Sequence, residues 1–369
     1  MHLSFWEIDT WFSNVDYTIV GSGIVGLNAA LRLRERFPES KILILEKGPL
    51  PQGASTKNAG FACFGSLSEI VADLTNHSEQ EVLELISKRW EGLHKLRSRL
   101  GDANIDFQNN GGYELFTGEN DRFHECAEQM PYVNDLLRSL FKNDVFVRQR
   151  DKFGFEGVAS ELIFNPFESQ IDTGRMMKSL LKVAVNADIL ILNQQQVVEF
   201  HDKSDHVHVA LPNYSFKTRK LLFATNGFAA TLTNNAVKPA RAQVLITKPI
   251  PGLKIKGTFH IDQGYYYFRN IGDRILFGGG RNLDFAGETT TDFGESELIQ
   301  RRLDKLLREI ILPNTTFEIE HRWSGIMGIG ESKKPIVERL SENVYCGVRL
   351  GGMGIAIGST IGTDLANLV

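Results

Sequence analysis

The sequence predicts an α/β protein in which a parallel β-α-β part is interleaved with an antiparallel sheet. Two observations support this fold class. Between residues 16 and 46, an apolar strand, a glycine-rich turn, a helix and a second apolar strand follow one another, and this is the size of a β-α-β crossover. Around residues 265–278, two apolar runs flank a short turn, which is typical of paired antiparallel strands.

The β-α-β segment is predicted from hydrophobic spacing. Residues 16–20 and 41–46 are short apolar runs, which favour buried strands. Residues 23–37 carry apolar side chains at helical spacing. The segment therefore predicts two parallel strands joined by one helix.

The rest of the chain is divided by capping and turn residues. Ser78 and Glu81 form a capping box that begins a helix, which we expect to end near Gly101. A helix over 121–140 should break at Pro131, and Asp172 should cap another through residue 187. The remaining expected elements are strands 113–117 and 221–224, a hairpin of 197–200 with 207–211, paired strands 265–269 and 274–278, and helices 295–311 and 355–368.

This order of elements predicts two domains, and the chain passes from one to the other several times. We expect residues 1–76, 150–238 and 320–369 to form the domain with the parallel sheet. Residues 77–149 and 239–319 would form the substrate or cap domain, because the antiparallel strands lie there.

Composition narrows the class of protein. The formal net charge of −4 argues against a nucleic-acid surface, which requires a basic face. Cys63, Cys126 and Cys346 form no CxxC pair and no disulfide framework, which fits a reducing compartment. The sequence lacks a signal peptide and an apolar run of the ~20 residues that a membrane span needs. We therefore expect a cytoplasmic protein without an integral membrane segment.

A dinucleotide fingerprint lies in the first turn. Gly21, Gly23 and Gly26 have the G-x-G-x-x-G spacing, follow a strand and open a helix, and Glu46 follows 20 positions after the last glycine. The first glycine permits the tight turn, the second lets a pyrophosphate approach the backbone, and the third lets the helix pack on the sheet. Glu46 would accept hydrogen bonds from the adenosine ribose. This pattern alone fits either FAD or NAD.

Later segments resemble the D-amino acid oxidase superfamily of FAD-dependent oxidoreductases, from about residue 16 to the end. Residues 53–60 resemble its second nucleotide-contacting loop, and residues 222–228 resemble its strand-end motif. Pro239, Arg241 and Gln243 match its Pro-x-Arg-x-Gln element, and 323–325 with 344–362 resemble its C-terminal flavin-contacting segment. The resemblance implies a Rossmann-like FAD-binding domain with an interleaved antiparallel-sheet substrate domain, of the D-amino acid oxidase/glutathione-reductase type.

The fingerprint and the resemblance together imply non-covalent FAD and a set of cofactor-binding residues. The sequence has no attachment motif for a covalent flavin, and Cys63 fits a small buried apolar residue. In the family pattern, glycine is usual where Arg349 stands and histidine where Met353 stands. The cofactor-binding residues that we expect are Gly21, Ser22, Gly23, Ile24, Val25, Gly26, Glu46, Lys47, Ser55, Thr56, Asn58, Ala59, Gly60, Val197, Thr225, Asn226, Gly227, Gly325, Gly351, Gly352, Met353 and Gly354.

The resemblance implies oxidation of a C–N bond by hydride transfer from carbon to flavin. Such a transfer depends on alignment, and the sequence contains no catalytic triad and no metal-ligand motif. Glycine-oxidase-like members hold a substrate carboxylate with an arginine where this chain has Met327. Arg281 and Arg349 are the candidate replacements, and Tyr266 or its neighbour Tyr267 is expected to line the site.

Several questions stay open at this point. The segments around residues 226, 266 and 277 resemble gamma-glutamylputrescine oxidases more than glycine oxidases, so a small amine and an amino acid are both possible substrates. The electron acceptor would be oxygen or a quinone. A tRNA-modifying FAD enzyme is one alternative, which the acidic balance disfavours. A flavin-binding redox sensor without turnover is another.

Overall fold

The computed structural model describes residues 3–118, 121–234 and 236–369. The predicted α/β fold with one largely parallel and one largely antiparallel sheet is confirmed. The α-helices of these residues are α1 (Phe5–Glu7), α2 (Ile24–Arg36), α3 (Leu67–Leu74), α4 (Glu79–Leu100), α5 (Asp102–Ile105), α6 (Asp121–Leu137), α7 (Thr173–Asn186), α8 (Glu297–Leu306) and α9 (Gly354–Asn367). Single π-helical turns follow α1 (Ile8–Phe12) and α8 (Leu307–Ile311), and short 3-10 turns are Ala54–Thr56, Asn226–Phe228, Thr231–Thr233 and Arg281–Leu283.

The strands contribute to two large sheets and one small one. They are β1 (Val15–Val20), β2 (Ile42–Leu45), β3 (Phe61–Ala62), β4 (Gly112–Leu115), β5 (Val147–Arg150), β6 (Glu161–Asn165), β7 (Ser169–Gln170), β8 (Leu190–Leu192), β9 (Glu199–Asp202), β10 (Val207–Ala210), β11 (Ser215–Phe223), β12 (Lys238–Thr247), β13 (Thr258–Ile261), β14 (Tyr266–Ile271), β15 (Arg274–Gly279), β16 (Ile319–Ile329), β17 (Ile336–Arg339) and β18 (Val344–Val348).

The first sheet has the order β17-β18-β11-β1-β2-β8, with β10 and β9 attached beside β11. β1 is parallel to β2 and to β11, as expected for a β-α-β crossover. α2 and α9 pack against each other and bury Leu27 and Ile361 together with Ile19 and Ile44 of the sheet. The carboxyl ends of β1, β2 and β11 therefore meet at one edge, beside the start of both helices.

The second sheet has the order β16-β12-β15-β14-β13-β4-β6-β5, and only the β13–β4 pair among these is parallel. α8 covers one face, where Ile299 and Leu303 pack with Phe268 and Phe277. Side chains alternate along a strand, so the neighbouring residues of β14 and β15 point to the opposite face, toward the first sheet.

Sheet membership differs from the predicted domain division at two places. β6 and β16 belong to the second sheet, although the division assigns residues 150–238 and 320–369 to the FAD-binding part. β16 is an edge strand of the antiparallel sheet, and β6 lies between β4 and the other edge strand, β5. The division into domains itself stays a prediction.

The expected break at Pro131 is wrong. α6 runs from residue 121 to residue 137 with Pro131 inside it. Proline removes one backbone hydrogen bond of a helix, but Phe123, Cys126, Val133 and Leu137 of this helix are all buried in one apolar cluster. Packing on both sides of the proline therefore keeps the helix continuous. In the described residues, no helix has the length and apolarity that crossing a membrane requires.

Candidate active site

A cavity of about 1140 Å³ lies between the carboxyl edge of the first sheet and the second sheet. It is larger than the ~300–1,000 Å³ of common small-molecule sites. The last residues of β1, β2 and β11 line it, which is where open α/β sheets bind their ligands. It continues to β14 and to the loop before α9, so one continuous space joins the nucleotide fingerprint to the second sheet.

Each of the three fingerprint glycines lies in close contact with a neighbouring residue. A Cβ at Gly26 would lie 2.0 Å from the backbone oxygen of Gly21, and a Cβ at Gly21 would lie 2.9 Å from the oxygen of Ala224. A Cβ at Gly23 would lie 2.8 Å from Oγ of Ser55. Gly21 and Gly23 line the cavity with Ile24 and Val25, whereas Gly26 lies behind them. The start of α2 therefore offers backbone N–H groups to an anionic ligand.

Glu46 lines the cavity and is fixed by its neighbours. Its Oε2 accepts hydrogen bonds from the backbone N–H and the hydroxyl of Ser22 at 3.1 and 3.0 Å. Its Oε1 accepts from the N–H of Gly48 at 3.0 Å and of Gln52 at 3.4 Å. Ser22 itself is buried and does not line the cavity. The predicted ribose acceptor is thus preorganised, and Ser22 acts by holding it.

The loop at 53–60 lines the cavity with Ser55, Asn58, Ala59 and Gly60. Ser55 Oγ accepts a hydrogen bond from the N–H of Ile24 at 3.0 Å, which ties the loop to the start of α2. The amide of Asn58 donates to the oxygens of Ala54 and Ser55 and accepts from Gly60, so it mainly shapes the loop. Thr56 donates to the oxygen of Pro51 and does not line the cavity.

The strand-end motif after β11 supplies Thr225 and Asn226 to the cavity. The hydroxyl of Thr225 is buried and has no hydrogen-bond partner among the described residues. Asn226 Oδ1 accepts from the N–H groups of Arg349 and Leu350 at 3.1 and 3.2 Å. Gly227 does not line the cavity; it packs against the backbone of β16, where a Cβ would be 2.4 Å from the oxygen of Met327. An unpaired buried hydroxyl is what a polar cofactor would satisfy.

The remaining predicted cofactor residues also border the cavity. They are Lys47, Val197, Gly325 and 351–354. The ammonium of Lys47 lies 4.3 Å from the ring centre of Phe228. Met353 is the N-cap of α9, so the positive end of that helix faces the same space. Tight glycine turns, two helix starts, a fixed carboxylate and an orphaned hydroxyl together fit a dinucleotide cofactor.

The cavity is also lined by Tyr267, Arg281, Met327 and Glu69; we call these four residues the distal cluster. The ring of Tyr267 lies across Gly278, where a Cβ would be 2.7 Å from its Cε2. Burial raises the pKa of Tyr267 to about 12, so its phenol is neutral.

The structure places Tyr266 outside the cavity lining. That residue is buried in the apolar core of the second sheet. The two tyrosines are adjacent on β14, so they point to opposite faces. Tyr267 is therefore the cavity residue of the pair.

The two candidate arginines differ in their position relative to the cavity. Arg281 lines the cavity, stacks over the ring of Phe285 at 4.8 Å, and has a pKa that burial lowers. Arg349 does not line the cavity. Its guanidinium donates to the backbone oxygens of Lys334 at 2.8 Å and Ala236 at 3.4 Å. Arg349 is thus a structural residue that closes a loop, and Arg281 is the only arginine of the described lining.

Sequence reasoning missed a buried pair beside the cavity. His260 Nε2 lies 2.6 Å from Glu168 Oε1, and the side chains of both are almost fully buried. The thiol of Cys63 is close, with the ligand-type atoms of all three residues within 4.8 Å of one another. Burial and Glu168 raise the pKa of the Cys63 thiol well above its usual range. These side chains are of types that bind zinc, but here the imidazole and the carboxylate are joined by the hydrogen bond.

Comparison with known proteins agrees with this geometry. The FAD dependent oxidoreductase (DAO) family matches residues 16–368. The gamma-glutamylputrescine oxidoreductase of Escherichia coli strain K12 is 23% identical, over 96% of this chain and 83% of that protein.

Two solved structures share the fold. The glycine oxidase of Geobacillus kaustophilus has a TM-score of 0.74 at 20% identity, with coverage of 96% of this chain and 94% of that one. The L-proline dehydrogenase of P. horikoshii has a TM-score of 0.75 at 17% identity, with coverage of 96% and 93%. Because the family match extends over nearly the whole sequence, the chain belongs to the DAO family of FAD-dependent oxidoreductases.

Proposed function

We propose that the chain binds FAD non-covalently in this cavity and oxidises a C–N bond of a small amine or amino acid. The single observation that supports this most is the continuity of the cavity. The same space that holds the fingerprint glycines and Glu46 is lined by Tyr267, Arg281 and Met327. A cofactor bound along it would reach from the first sheet to the distal cluster.

The relatives support the substrate class. The similar proteins are named for gamma-glutamylputrescine, glycine and L-proline, and each of these compounds carries a C–N bond next to a C–H bond. When bound, FAD would accept the hydride that leaves the substrate carbon. The resulting imine would then be hydrolysed by water to a carbonyl compound and ammonia or an amine.

The chain's own residues would position and enclose the substrate. Arg281 offers a guanidinium that forms no ion pair with a described residue, and Tyr267 offers a neutral phenol. Met327 and Phe61 are apolar surfaces of the same cavity that exclude water. Such a site works by alignment, because hydride transfer needs the donor carbon near its acceptor.

Non-covalent binding is supported by the state of Cys63. Its thiol is buried, and burial with Glu168 and Glu69 raises its pKa, so it is a poor nucleophile for attachment to the flavin. All three cysteines are free and buried, which supports a reducing compartment such as the cytoplasm. Oxygen or a quinone would reoxidise the reduced flavin.

Anaerobic reduction of the bound flavin tests this function. The purified protein would be mixed with a panel of primary amines, secondary amines and amino acids in the absence of oxygen. We expect at least one class to bleach the flavin and to yield the matching carbonyl compound. A protein with FAD bound whose flavin no member of the panel reduces would contradict the proposed activity.

A further inference from the structure

Two side chains of opposite charge that line the cavity, Glu69 and Arg281, form no ion pair with a described residue. Glu69 Oε2 accepts the N–H of Ser66 at 3.0 Å and completes the capping box of α3. Within the described residues, Glu69 forms no ion pair, and its Oε1 has no hydrogen-bond partner. The guanidinium of Arg281 forms neither a hydrogen bond nor an ion pair with any described residue, and only stacks over Phe285.

The neighbouring charges are already paired. Asp73 lies 2.7 Å from the ammonium of Lys333, and Glu168 lies 2.6 Å from the imidazole of His260. Glu331 also lines the cavity, but it is exposed to solvent. Lys57 is also partly buried and forms no ion pair with a described residue, but its ammonium lies 5.1 Å from the ring centre of Phe293 and its side chain lies beside Gly325. Glu69 and Arg281 are the two unpaired charges that lie beside residues 264–265.

Both residues border the same end of one hairpin. A Cβ at Gly264 would lie 3.3 Å from either carboxylate oxygen of Glu69, so the carboxylate rests against this turn. Arg281 follows Gly280, whose N–H donates to the oxygen of Tyr265 at 2.9 Å. The anion and the cation thus flank residues 264–265 and face one cavity.

The protein itself compensates these charges only in part. Burial lowers the pKa of Arg281 because it disfavours the charged guanidinium. A bound carboxylate would stabilise that charge through a bidentate pair. Glu288, which is itself paired with Arg241, partly offsets the effect of burial on the pKa of Arg281. The charge of Glu69 acts on the imidazole of His260 and on Arg89. The guanidinium of Arg89, however, donates to the oxygen of Phe64 at 2.7 Å, and it does not line the cavity.

We propose that Glu69 recognises a cationic or N–H-donating nitrogen of the substrate while Arg281 receives a carboxylate. The substrate is then a zwitterionic amine, a compound that carries both groups. This inference rests on the proposed function and names its substrate class. A simple monoamine would leave Arg281 unpaired, and a simple carboxylate would leave Glu69 unpaired. An unpaired charge in the site weakens binding, so the site would discriminate against ligands that carry only one of the two groups.

Ligands that cannot be oxidised separate binding from turnover. Tert-butylammonium carries only the cation, pivalate only the carboxylate, and 2-aminoisobutyrate and 4-amino-4-methylpentanoate carry both at two spacings. None has a hydrogen on the carbon bonded to nitrogen, so no hydride can leave. Their affinities for the FAD-loaded protein would be measured by flavin difference absorbance and by calorimetry.

The expected result is that one of the two zwitterions binds at least tenfold more tightly than either singly charged probe. Glu69→Gln should lower the affinities for the zwitterion and for tert-butylammonium about tenfold or more, and it should leave the affinity for pivalate unchanged. Glutamine also completes a capping box, so this variant keeps the start of α3. The matched control is Glu81→Gln, the same change in the exposed capping box of α4, which should alter no affinity.

Two results would overturn the inference. One is that neither zwitterion binds more tightly than pivalate and tert-butylammonium. The other is that Glu69→Gln, with normal FAD content, binds the zwitterion as the wild type does. Either result can occur while reactive amines still bleach the flavin, which would leave the proposed function standing. Conversely, tight zwitterion binding without bleaching by any amine would count against the proposed activity alone.

Discussion

Nε2 of His260 lies 2.6 Å from Oε1 of Glu168, and both side chains are buried beside the cavity. Burial by itself would lower the pKa of His260, but the charge and the hydrogen bond of Glu168 outweigh it. Together with the more distant Glu69 and Glu114, they raise the pKa to about 9. His260 is therefore an imidazolium at neutral pH, held by a carboxylate.

This pair predicts a pH-dependent contribution to stability. Because folding raises the pKa above the usual value of 6.5, the contribution is complete below about pH 6.5 and is lost as the pH rises through about 9. His260→Gln should therefore cost the most in mildly acid solution, on the order of 3 kcal/mol, and the gap to wild type should narrow toward about pH 10. Urea unfolding of both proteins over this range measures the gap. His206→Gln, which changes a pair with the exposed Asp205, is the control, and a pH-independent gap for His260→Gln would contradict the assignment.

Loss of the Glu46 carboxylate should weaken FAD binding. Glu46→Ala removes the expected ribose acceptor and also releases Ser22 and Gly48, which donate to that carboxylate. We expect a loss of about 1–3 kcal/mol in FAD affinity, the scale of a hydrogen bond to a charged group. Titration of the apoprotein with FAD, followed by flavin fluorescence, measures it. Glu39→Ala, at an exposed site, should bind FAD normally, and equal affinities for both variants would refute the role of Glu46.

Two glycine substitutions should differ sharply. A Cβ at Gly26 would lie 2.0 Å from the backbone oxygen of Gly21, so Gly26→Ala must move the start of α2. Gly174 of α7 does not line the cavity, and the nearest atom to a Cβ there would be Oδ1 of Asp172 at 3.3 Å. We expect Gly26→Ala to be purified without FAD or to unfold at a lower temperature, and Gly174→Ala to keep both properties. Equal flavin content and equal melting temperature would show that the close approach in the fingerprint is not required.

The two adjacent tyrosines should also respond differently. Tyr267→Phe removes a hydroxyl from a residue that lines the cavity, whereas Tyr266→Phe removes one from the core of the second sheet. Loss of a neutral hydrogen bond to the substrate should slow flavin reduction or weaken substrate binding about two- to tenfold in Tyr267→Phe. Stopped-flow reduction with the best substrate of the panel measures both quantities. If Tyr266→Phe had the larger effect, Tyr266 would be the functional residue after all.

The sequence predicted the parts of the site that are local in the chain. The fingerprint glycines and Glu46 lie within one crossover, so their spacing predicts their contacts. The choice between Tyr266 and Tyr267 could not be made, because alternation along β14 does not say which face meets the core. The α8 residues that cover one face decide it.

The buried pair was not predictable for a different reason. His260 and Glu168 are 92 residues apart and meet only because β13 and the turn before β7 come together. No spacing rule connects them. Arg349 matched a glycine position of the family, and its φ of +66° shows why glycine suits that position. Its side chain was nonetheless free to turn away from the cavity.

The most direct test of the account is the visible spectrum of the purified protein before and after acid precipitation, combined with anaerobic addition of amines and amino acids. The account predicts a yellow protein that releases its FAD into the supernatant and whose flavin is bleached by a compound containing an oxidisable C–N bond. A colourless protein that cannot be reconstituted with FAD would contradict the central claim. Flavin that stayed with the precipitate would contradict non-covalent binding.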